Sequence, residues 1–390
     1  MIAKYSKTNS PPYIRLAGFY FCYFAALGAL VPYWNLYLAT RGFNAEQIGV
    51  LGAILVGTKM LIPNLWGWLA DRSGQRLRVI RWTALLAASS FAGFLGPVQF
   101  SWYLAITLLF SLFWNAPLPQ FEALTLAHLQ HESHRYSLIR LWGSLGFITT
   151  VLLGGYWLDH YGTDNLPLVL LALLGSVWLM ALITPAAPSS PKIDTSQRLT
   201  GILRQWPVWS FFLVTLLMQI AHGPYYVFYS IHLQAHGYSP SATGALWTLG
   251  VAAEIVLFLG IRPILRRVGL RQMLLISAGC GVLRWLLIAW EARHLAALLI
   301  AQSLHAATFG AAHAAAIHLI QRYFGTQYQG QGQALYSSLS YGVGGMLGSL
   351  YSGWLWERAG AAAVFSCAAL FCMLAFTVAW IGRDDKEDPH

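Results

Sequence analysis

Five ionisable side chains stand inside long apolar runs of this 390-residue chain: Lys59, Glu122, Arg140, Glu254 and Arg284. A charge at the centre of a bilayer costs at least about 2.5–3.5 kcal/mol, so each needs a reason to be there. Carboxylates and cations at such depth can carry protons, hold a charged solute, or lock helices by internal salt bridges. Lys59 and Glu254 lie about fourteen residues into their runs, roughly 20 Å at 1.5 Å per residue, hence near mid-depth. Arg284 is similarly placed. Three cations against two anions leave one positive charge over, which suits an anionic solute. A Lys59 that snorkels toward the interface removes that excess. Salt bridges that set helix register are the competing reading, although buried pairs rarely stabilise better than apolar packing does. Lys59 has three candidate partners: Glu122, Glu254 or the solute.

Histidine adds a weaker signal. His222, His305, His313 and His318 fall in the same apolar runs, and most read as hydrogen-bonded helix residues. His313 and His318 are five apart, poor spacing for a metal on one helix face, so no zinc site is expected. Cys22, Cys280, Cys367 and Cys372 lack metal-ligand spacing and read as small core residues. No nucleophile–base or metal constellation is present, so the chain is not read as an enzyme and no cofactor is implied.

The elements that must position these groups are membrane helices. Only 10% of the residues are charged and 57% are hydrophobic, against about 25% charged in a soluble domain. Mean hydropathy is +0.54. Apolar windows near 13–38, 45–69, 77–97, 100–128, 137–159, 166–184, 208–235, 241–263, 271–290, 296–320, 331–357 and 361–382 are each long enough to cross a ~30 Å hydrocarbon core. Lipid offers no partner to free backbone groups, so helices are the default. The prediction is an all-α membrane protein with twelve transmembrane helices. The first run is too long for a cleavable signal and is read as helix 1.

The net charge of +10 reflects topology rather than nucleic-acid binding. With the N-terminus placed in the cytoplasm, 18 of the 24 Lys and Arg fall at cytoplasmic ends and loops. Arg41, Arg293 and Arg358 fall on the other side. That bias places both termini in the cytoplasm.

A charged turn interrupts the apolar pattern at Gly67-Trp-Leu-Ala-Asp71-Arg72-Ser-Gly74-Gln-Arg76. An offset of 195 residues gives a degraded copy in which Arg267, Gly269 and Arg271 stand for Arg72, Gly74 and Arg76. The same offset pairs Gly42 with Gly237, Phe43 with Tyr238, Gly49 with Gly244 and Lys59 with Glu254. A parallel duplication follows: an N-terminal half over 1–184, a Pro/Ser-rich linker over 185–207, and a C-terminal half over 208–390 with a short tail. Helix 11 carries Gly342, Gly344, Gly345, Gly348 and Gly353, either for close static packing or for a flexible gate. A weaker version lies at Gly143, Gly146, Gly154 and Gly155.

The turn at 67–76 resembles the signature loop of major facilitator superfamily transporters, whose fold is two pseudo-symmetric six-helix bundles. The resemblance implies a conformational gate at Gly67, Asp71, Arg72, Gly74 and Arg76. Asn115-Ala-Pro-Leu-Pro119-Gln-Phe-Glu122, followed by Arg140-Leu-Trp-Gly143-Ser, is similar to the helix 4 and helix 5 pair of the branch holding lactose permease and the 3-phenylpropionate permeases. There the glutamate and arginine face the cavity. Phe147 stands where lactose permease has a stacking tryptophan. Glu254, Arg284 and His305 match positions tied to proton coupling. Two departures separate the chain from lactose permease: Thr308 replaces a proton-carrying glutamate, and aromatics at Tyr225, Tyr226 and Tyr229 replace an aspartate pair.

Likeness to the 3-phenylpropionate permease family covers nearly the whole chain, at Arg140-Leu-Trp-Gly-Ser, Ala221-His222-Gly-Pro-Tyr225-Tyr226 and Cys280-Gly-Val-Leu-Arg284-Trp285. It implies proton-coupled uptake of a small aromatic or organic acid by alternating access, in a monomer in the bacterial inner membrane. Lys59, Glu122, Arg140, Phe147, Tyr225 and Tyr226 would bind substrate. Glu254, Arg284 and His305 would couple protons. A symporter for a sugar, oligosaccharide or nucleoside is the alternative, and a drug efflux carrier a more distant one.

Overall fold

The computed structural model describes residues 11–187 and 200–382, and every regular element in it is helical. Residues 1–10, most of the expected linker (188–199) and the tail from 383 lie outside the described residues. The first half contributes α1 (Tyr13–Thr40), α2 (Ala45–Gly57), α3 (Ile62–Ser73), α4 (Arg76–Phe91), α5 (Phe100–Trp114), α6 (Pro117–Leu129), α7 (Tyr136–Tyr161) and α8 (Leu166–Ile183). After a short α9 (Thr200–Leu203) come α10 (Trp206–Ala235), α11 (Pro240–Leu259), α12 (Ile261–Arg267), α13 (Leu270–Trp290), α14 (Leu295–Ser303), α15 (Ala312–Tyr336) and α16 (Gly345–Ile381).

Ten helical stretches among the described residues are long and apolar enough to cross a membrane. Some join elements across a kink. Ala45–Ser73 unites α2 and α3 through a 3-10 turn, Thr58–Met60, that carries Lys59. Phe100–Leu129 is broken at Asn115 and Ala116, just before the prolines that open α6. Two expected spans are not separate members of the ten. The stretch at α4 begins with Arg76, Arg78 and Arg81, which dilute its apolar character. The last two are merged in Gln327–Ile381, where Gly360 (φ 76°, ψ 179°) breaks the helix.

The 195-residue offset reappears in local geometry. Gly42 (φ 87°) and Gly237 (φ 83°) both take the left-handed conformation that lets a long helix end and the chain turn back. Two residues later Asn44 and Ser239 cap the next helix, accepting from the Gln47 and Ala242 amides. Each half also ends alike, through arginines that the offset does not pair, since Ile276 stands 195 residues after Arg81. Arg81 donates to the carbonyls of Ala181, Leu182 and Thr184 at the end of α8. Arg271 donates to Ala379 and Trp380 at the end of α16. Both satisfy carbonyls that a helix C-terminus leaves open. The loop copies differ: Gly74 is left-handed (φ 65°), whereas Gly269 is extended and opens α13 (φ −61°).

Within the first half α1 packs on α7 and α8; within the second α10 and α13 pack on α16. The halves meet chiefly along α2–α16 and α7–α11. The glycines expected in helix 11 serve close approach: a Cβ on Gly348 would lie 2.9 Å from the Gly223 Cα of α10. At the end holding the turn between α1 and α2, two acidic side chains cross between halves. Glu357 Oε2 accepts the Ala45 amide at 3.1 Å, and Asp159 Oδ1 accepts the Ser241 amide at 3.2 Å. Each carboxylate therefore meets the positive N-terminus of a helix in the opposite half. Arg358 lies 3.7 Å from Glu46 at the first of these points.

Candidate functional site

A central cavity of about 440 Å³ lies between the halves, walled by α1, α2, α5 and α7 on one side and by α10, α11, α16 and the His305 region on the other. Of the charged residues expected there, Lys59, Arg140 and Glu254 line it. Lys59 reaches the wall because the 3-10 turn interrupts the span at mid-length, between α2 and α3. Neither Lys59 nor Arg140 has an ion pair within 4.0 Å among the described residues. The Arg140 guanidinium instead lies over the Phe24 ring, 3.8 Å from its centroid. Two carboxylates lie within its electrostatic reach, Glu122 on its own side and Glu254 across the cavity. Glu122 itself does not line the cavity; it faces Arg140 and Tyr136.

Glu254 Oε2 lies 3.9 Å from His305 Nε2. His305 begins a π-helical turn, Ala306–Ala311, and its buried Nδ1 has no hydrogen-bond partner among the described residues. Irregular turns of this kind often mark functional positions in helices. Phe147, Tyr225 and Tyr226 line the cavity as expected.

Arg284 is elsewhere. It is wholly buried and does not line the cavity. Its Nη1 donates to Thr308 Oγ1 at 2.9 Å and to His222 Nε2 at 3.4 Å; its Nη2 donates to Gln302 Oε1 at 3.1 Å. Tyr225 and Trp285 cover the guanidinium at 4.4 and 4.5 Å. His222 Nδ1 lies 2.7 Å from the Met218 carbonyl and so carries the hydrogen, which leaves Nε2 to accept from Arg284. No carboxylate forms an ion pair with Arg284 among the described residues. The residue in place of the lactose-type glutamate, Thr308, serves as a ligand to this arginine.

The expected gate residues form a compact unit inside their own half. Asp71 pairs with Arg76, and Arg76 also donates to Gln120 Oε1 at 2.8 Å. Gly74 supplies the left-handed helix end, and Gly67 leaves room for the Gln120 side chain. Arg72 is exposed, over the Trp68 ring at 5.3 Å.

Several cavity residues carry no charge and so gave no sequence signal. Trp34, Phe91, Phe94, Phe110 and Trp114 build an aromatic wall, and Asn35, Asn115 and Gln219 add neutral polar groups. Asn115 Nδ2 donates to Leu55 O at 2.9 Å and Thr58 Oγ1 at 2.8 Å, beside Lys59. The cradle of Arg284 had a faint signature: Gln302, His305 and Thr308 recur every three residues in an apolar run.

A central cavity walled by helices from both parts of the chain and lined by Lys59, Arg140 and Glu254 is the anatomy of a carrier. The family described as "MFS_1 like family" matches residues 13–367. The chain belongs to that family. This major facilitator protein is 32% identical over 352 residues to the "Probable 3-phenylpropionic acid transporter" of Escherichia coli (strain K12), covering 87% of this chain and 90% of that one. It is 26% identical to the maltose permease of Geobacillus stearothermophilus, over 87% and 86% of the two chains. The crystal structure of the nucleoside transporter NupG superimposes with a TM-score of 0.84 at 16% identity, covering 95% of this chain and 98% of that one. The last likeness is one of fold. This facilitator is a multi-pass membrane transporter, not an enzyme.

Proposed function

We propose that the protein imports a small aromatic or organic carboxylate together with a proton, by alternating access between two six-helix halves with twelve membrane crossings. The single observation that carries this reading is the pair of cations, Lys59 and Arg140, that have no ion pair among the described residues, in a cavity whose other walls are largely aromatic. A carboxylate completes the charge balance at the cations, and a ring packs against the aromatic residues. The 32% identical relative, named for 3-phenylpropionic acid, supports the same substrate class. The inner membrane is its proposed location, with both termini cytoplasmic, since 18 of 24 basic residues follow that orientation.

Glu254 is the proposed proton carrier, with His305 beside it. Arg140 lies between Glu122 and Glu254, and a bound carboxylate competes with both for its charge. Protonating Glu254 while substrate holds Arg140 leaves less uncompensated charge in the cavity, which permits the halves to rock. Arg284 acts from outside the cavity by holding Thr308 and Gln302 in the helix that bears His305. The charged turn around Asp71 and Arg76 stiffens the first half at the gate.

Reconstitution into liposomes with an internal pH-sensitive dye tests the reading. 3-Phenylpropionate, added without an imposed gradient, is expected to acidify the lumen in a protein-dependent way, above a protein-free control for passive diffusion of the acid. Glu254→Gln is expected to abolish proton-driven accumulation and to spare exchange; unimpaired accumulation removes Glu254 from the mechanism. The neutral groups Asn35, Asn115 and Gln219 favour one second reading, a symporter for a sugar or nucleoside. Acidification with only a galactoside or a nucleoside selects it.

A further inference from the structure

We propose that His313, Tyr336 and Tyr341 form the route by which the transported proton leaves the cavity toward the cytoplasm. The inference rests on the symport reading above and adds the exit that Glu254 and His305 need. A second, smaller pocket of about 20 Å³ lies beside the cavity, large enough for one water molecule. Gln219, Phe309 and Tyr341 line both spaces and so form the partition between them. The rest of the small pocket is largely polar, with Thr215, His222, Thr308, His313, Tyr336 and Ser340 in its wall. On the cavity side, Tyr341 is within electrostatic reach of Glu254.

The three side chains meet in a triangle. His313 Nδ1 lies 3.2 Å from the Tyr336 hydroxyl and 3.3 Å from the Tyr341 hydroxyl, and the two hydroxyls are 3.4 Å apart. Other histidines of the chain use this nitrogen differently. In His160, His222, His236 and His318, Nδ1 lies 2.9, 2.7, 2.8 and 2.8 Å from the carbonyl four residues earlier. A carbonyl only accepts, so it fixes the hydrogen on that nitrogen. A hydroxyl donates or accepts, so His313 Nδ1 can take up a hydrogen and give it back. Irregular helix flanks the triangle as well. Tyr341 lies within the π-helical turn Ser337–Gly344, Tyr336 immediately precedes it, and the turn Ala306–Ala311 ends two residues before His313. Such turns often accompany functional positions.

The direction of the route follows from the topology. The span Leu295–Gly325 runs away from the end where Asp159 and Glu357 cross between halves. His313 follows His305 by eight residues and so lies roughly 12 Å nearer the proposed cytoplasmic side. Phe309 stands between the two imidazoles, nearly parallel to both, with centroids 5.4 and 6.4 Å away. A phenyl ring passes no proton, so the transfer goes round it by way of Tyr341. Tyr336 precedes Tyr341 by five residues on the returning span and is the nearer of the two to the cytoplasmic end. Glu254 gives up its proton through cavity water to the Tyr341 oxygen, which passes its own hydrogen to His313 Nδ1. The imidazolium hands that hydrogen to the Tyr336 oxygen, which releases its own to water on the cytoplasmic side. Glu254 is left as a carboxylate, and each tyrosine keeps one hydrogen. Because one nitrogen serves both steps, the imidazole regains its starting tautomer without turning.

The full-length protein in liposomes with an internal pH-sensitive dye tests the route, with 3-phenylpropionate as the probe. His313→Gln can still bond the hydroxyls but cannot carry the extra proton; Tyr336→Phe keeps the ring and loses the hydroxyl. Each is expected to slow protein-dependent acidification of the lumen roughly a hundredfold, the scale of a lost proton-transfer group. Exchange of labelled for unlabelled 3-phenylpropionate needs no proton release and is expected to continue at the wild-type rate. The residual acidification is expected to lose more of its rate in D₂O than the wild type's does, because proton release has become the slow step. Wild-type acidification in either variant overturns the route and leaves the symport reading in place. Exchange lost together with acidification makes the triangle a structural element and overturns the route as well. A wild type with no protein-dependent acidification overturns the symport reading and the route with it. Should one variant fail to fold, the other decides.

Discussion

Arg140 and Arg284 are both arginines within apolar helices, and the protein treats them in opposite ways. Arg140 lies over the Phe24 ring at the cavity wall, with the Tyr20 ring 5.7 Å away, two carboxylates at a distance and no hydrogen bond to hold it among the described residues. Arg284 is gripped by Thr308, Gln302 and His222 and covered by two aromatic rings, out of reach of any solute in this conformation. A guanidinium committed to neutral acceptors shapes the helices around it. One left loosely held is free to meet a ligand. Both residues are equally conspicuous in the sequence, so charge alone does not tell the two uses apart.

The sharpest way to break this contrast is to remove each arginine's function in turn. Arg140→Met is expected to lower uptake about a hundredfold, which corresponds to about 2.7 kcal/mol and lies within the range for a charged hydrogen bond. Its melting temperature in detergent is expected to stay within about 2 °C of the wild type. A large loss of stability would make Arg140 a structural residue like its counterpart. Arg284→Lys is expected to do the reverse. An ammonium cannot reproduce the planar fork that serves Thr308 and Gln302 together, so stability should fall by about 2 kcal/mol, read as a lower melting temperature. An unchanged melting temperature, with substrate affinity lost, would move Arg284 into the binding site.

A smaller effect is expected where the two halves latch. Glu357→Gln and Asp159→Asn each weaken a carboxylate held by a helix N-terminus, an interaction of about 0.3–1 kcal/mol at an exposed site. The equilibrium should shift a few-fold toward opening at that end. The readout is the rate at which an impermeant thiol reagent, added from the latch side, labels a cysteine placed at Asn35 in the cavity wall. The four native cysteines do not line the cavity and leave that signal clear. An unchanged rate in both variants would mean that the α2–α16 and α7–α11 packing closes this end without the carboxylates.

Much of the architecture was legible in the sequence because its signals are local. The Gly42 and Gly237 turns, with Asn44 and Ser239 after them, are short motifs whose backbone demands recur at a fixed offset. The charged turn at 71–76 is likewise read residue by residue. Charged groups in apolar runs announce themselves by cost, so the sequence alone singles out Lys59, Glu122, Arg140, Glu254 and Arg284, without telling which of the five line the cavity. The partners of those groups were not legible. Arg284 is satisfied by residues from α10 and from the segment around α14, all neutral, and a neutral polar residue in a helix carries little sequence cost. The aromatic wall draws on α1, α4 and α5, each of which alone reads as ordinary core. Glu122 shows the same limit from the other direction: its spacing to Arg140 was plain, but which side of the helix meets the cavity depends on the break at Asn115 and Ala116.

The two π-helical turns, Ala306–Ala311 and Ser337–Gly344, have a mechanical consequence. Each holds one residue more than an α-helical path would need. Passing that surplus along the helix turns the intervening segment by about 100°, one residue's share of an α-helical turn. For the first turn, such a passage would carry His305 away from Glu254 and bring a neighbouring side chain round, with both ends of the helix left in place. The helix would then work as a rotary coupling within a rigid frame, exchanging the group beside the carboxylate while the halves themselves stand still.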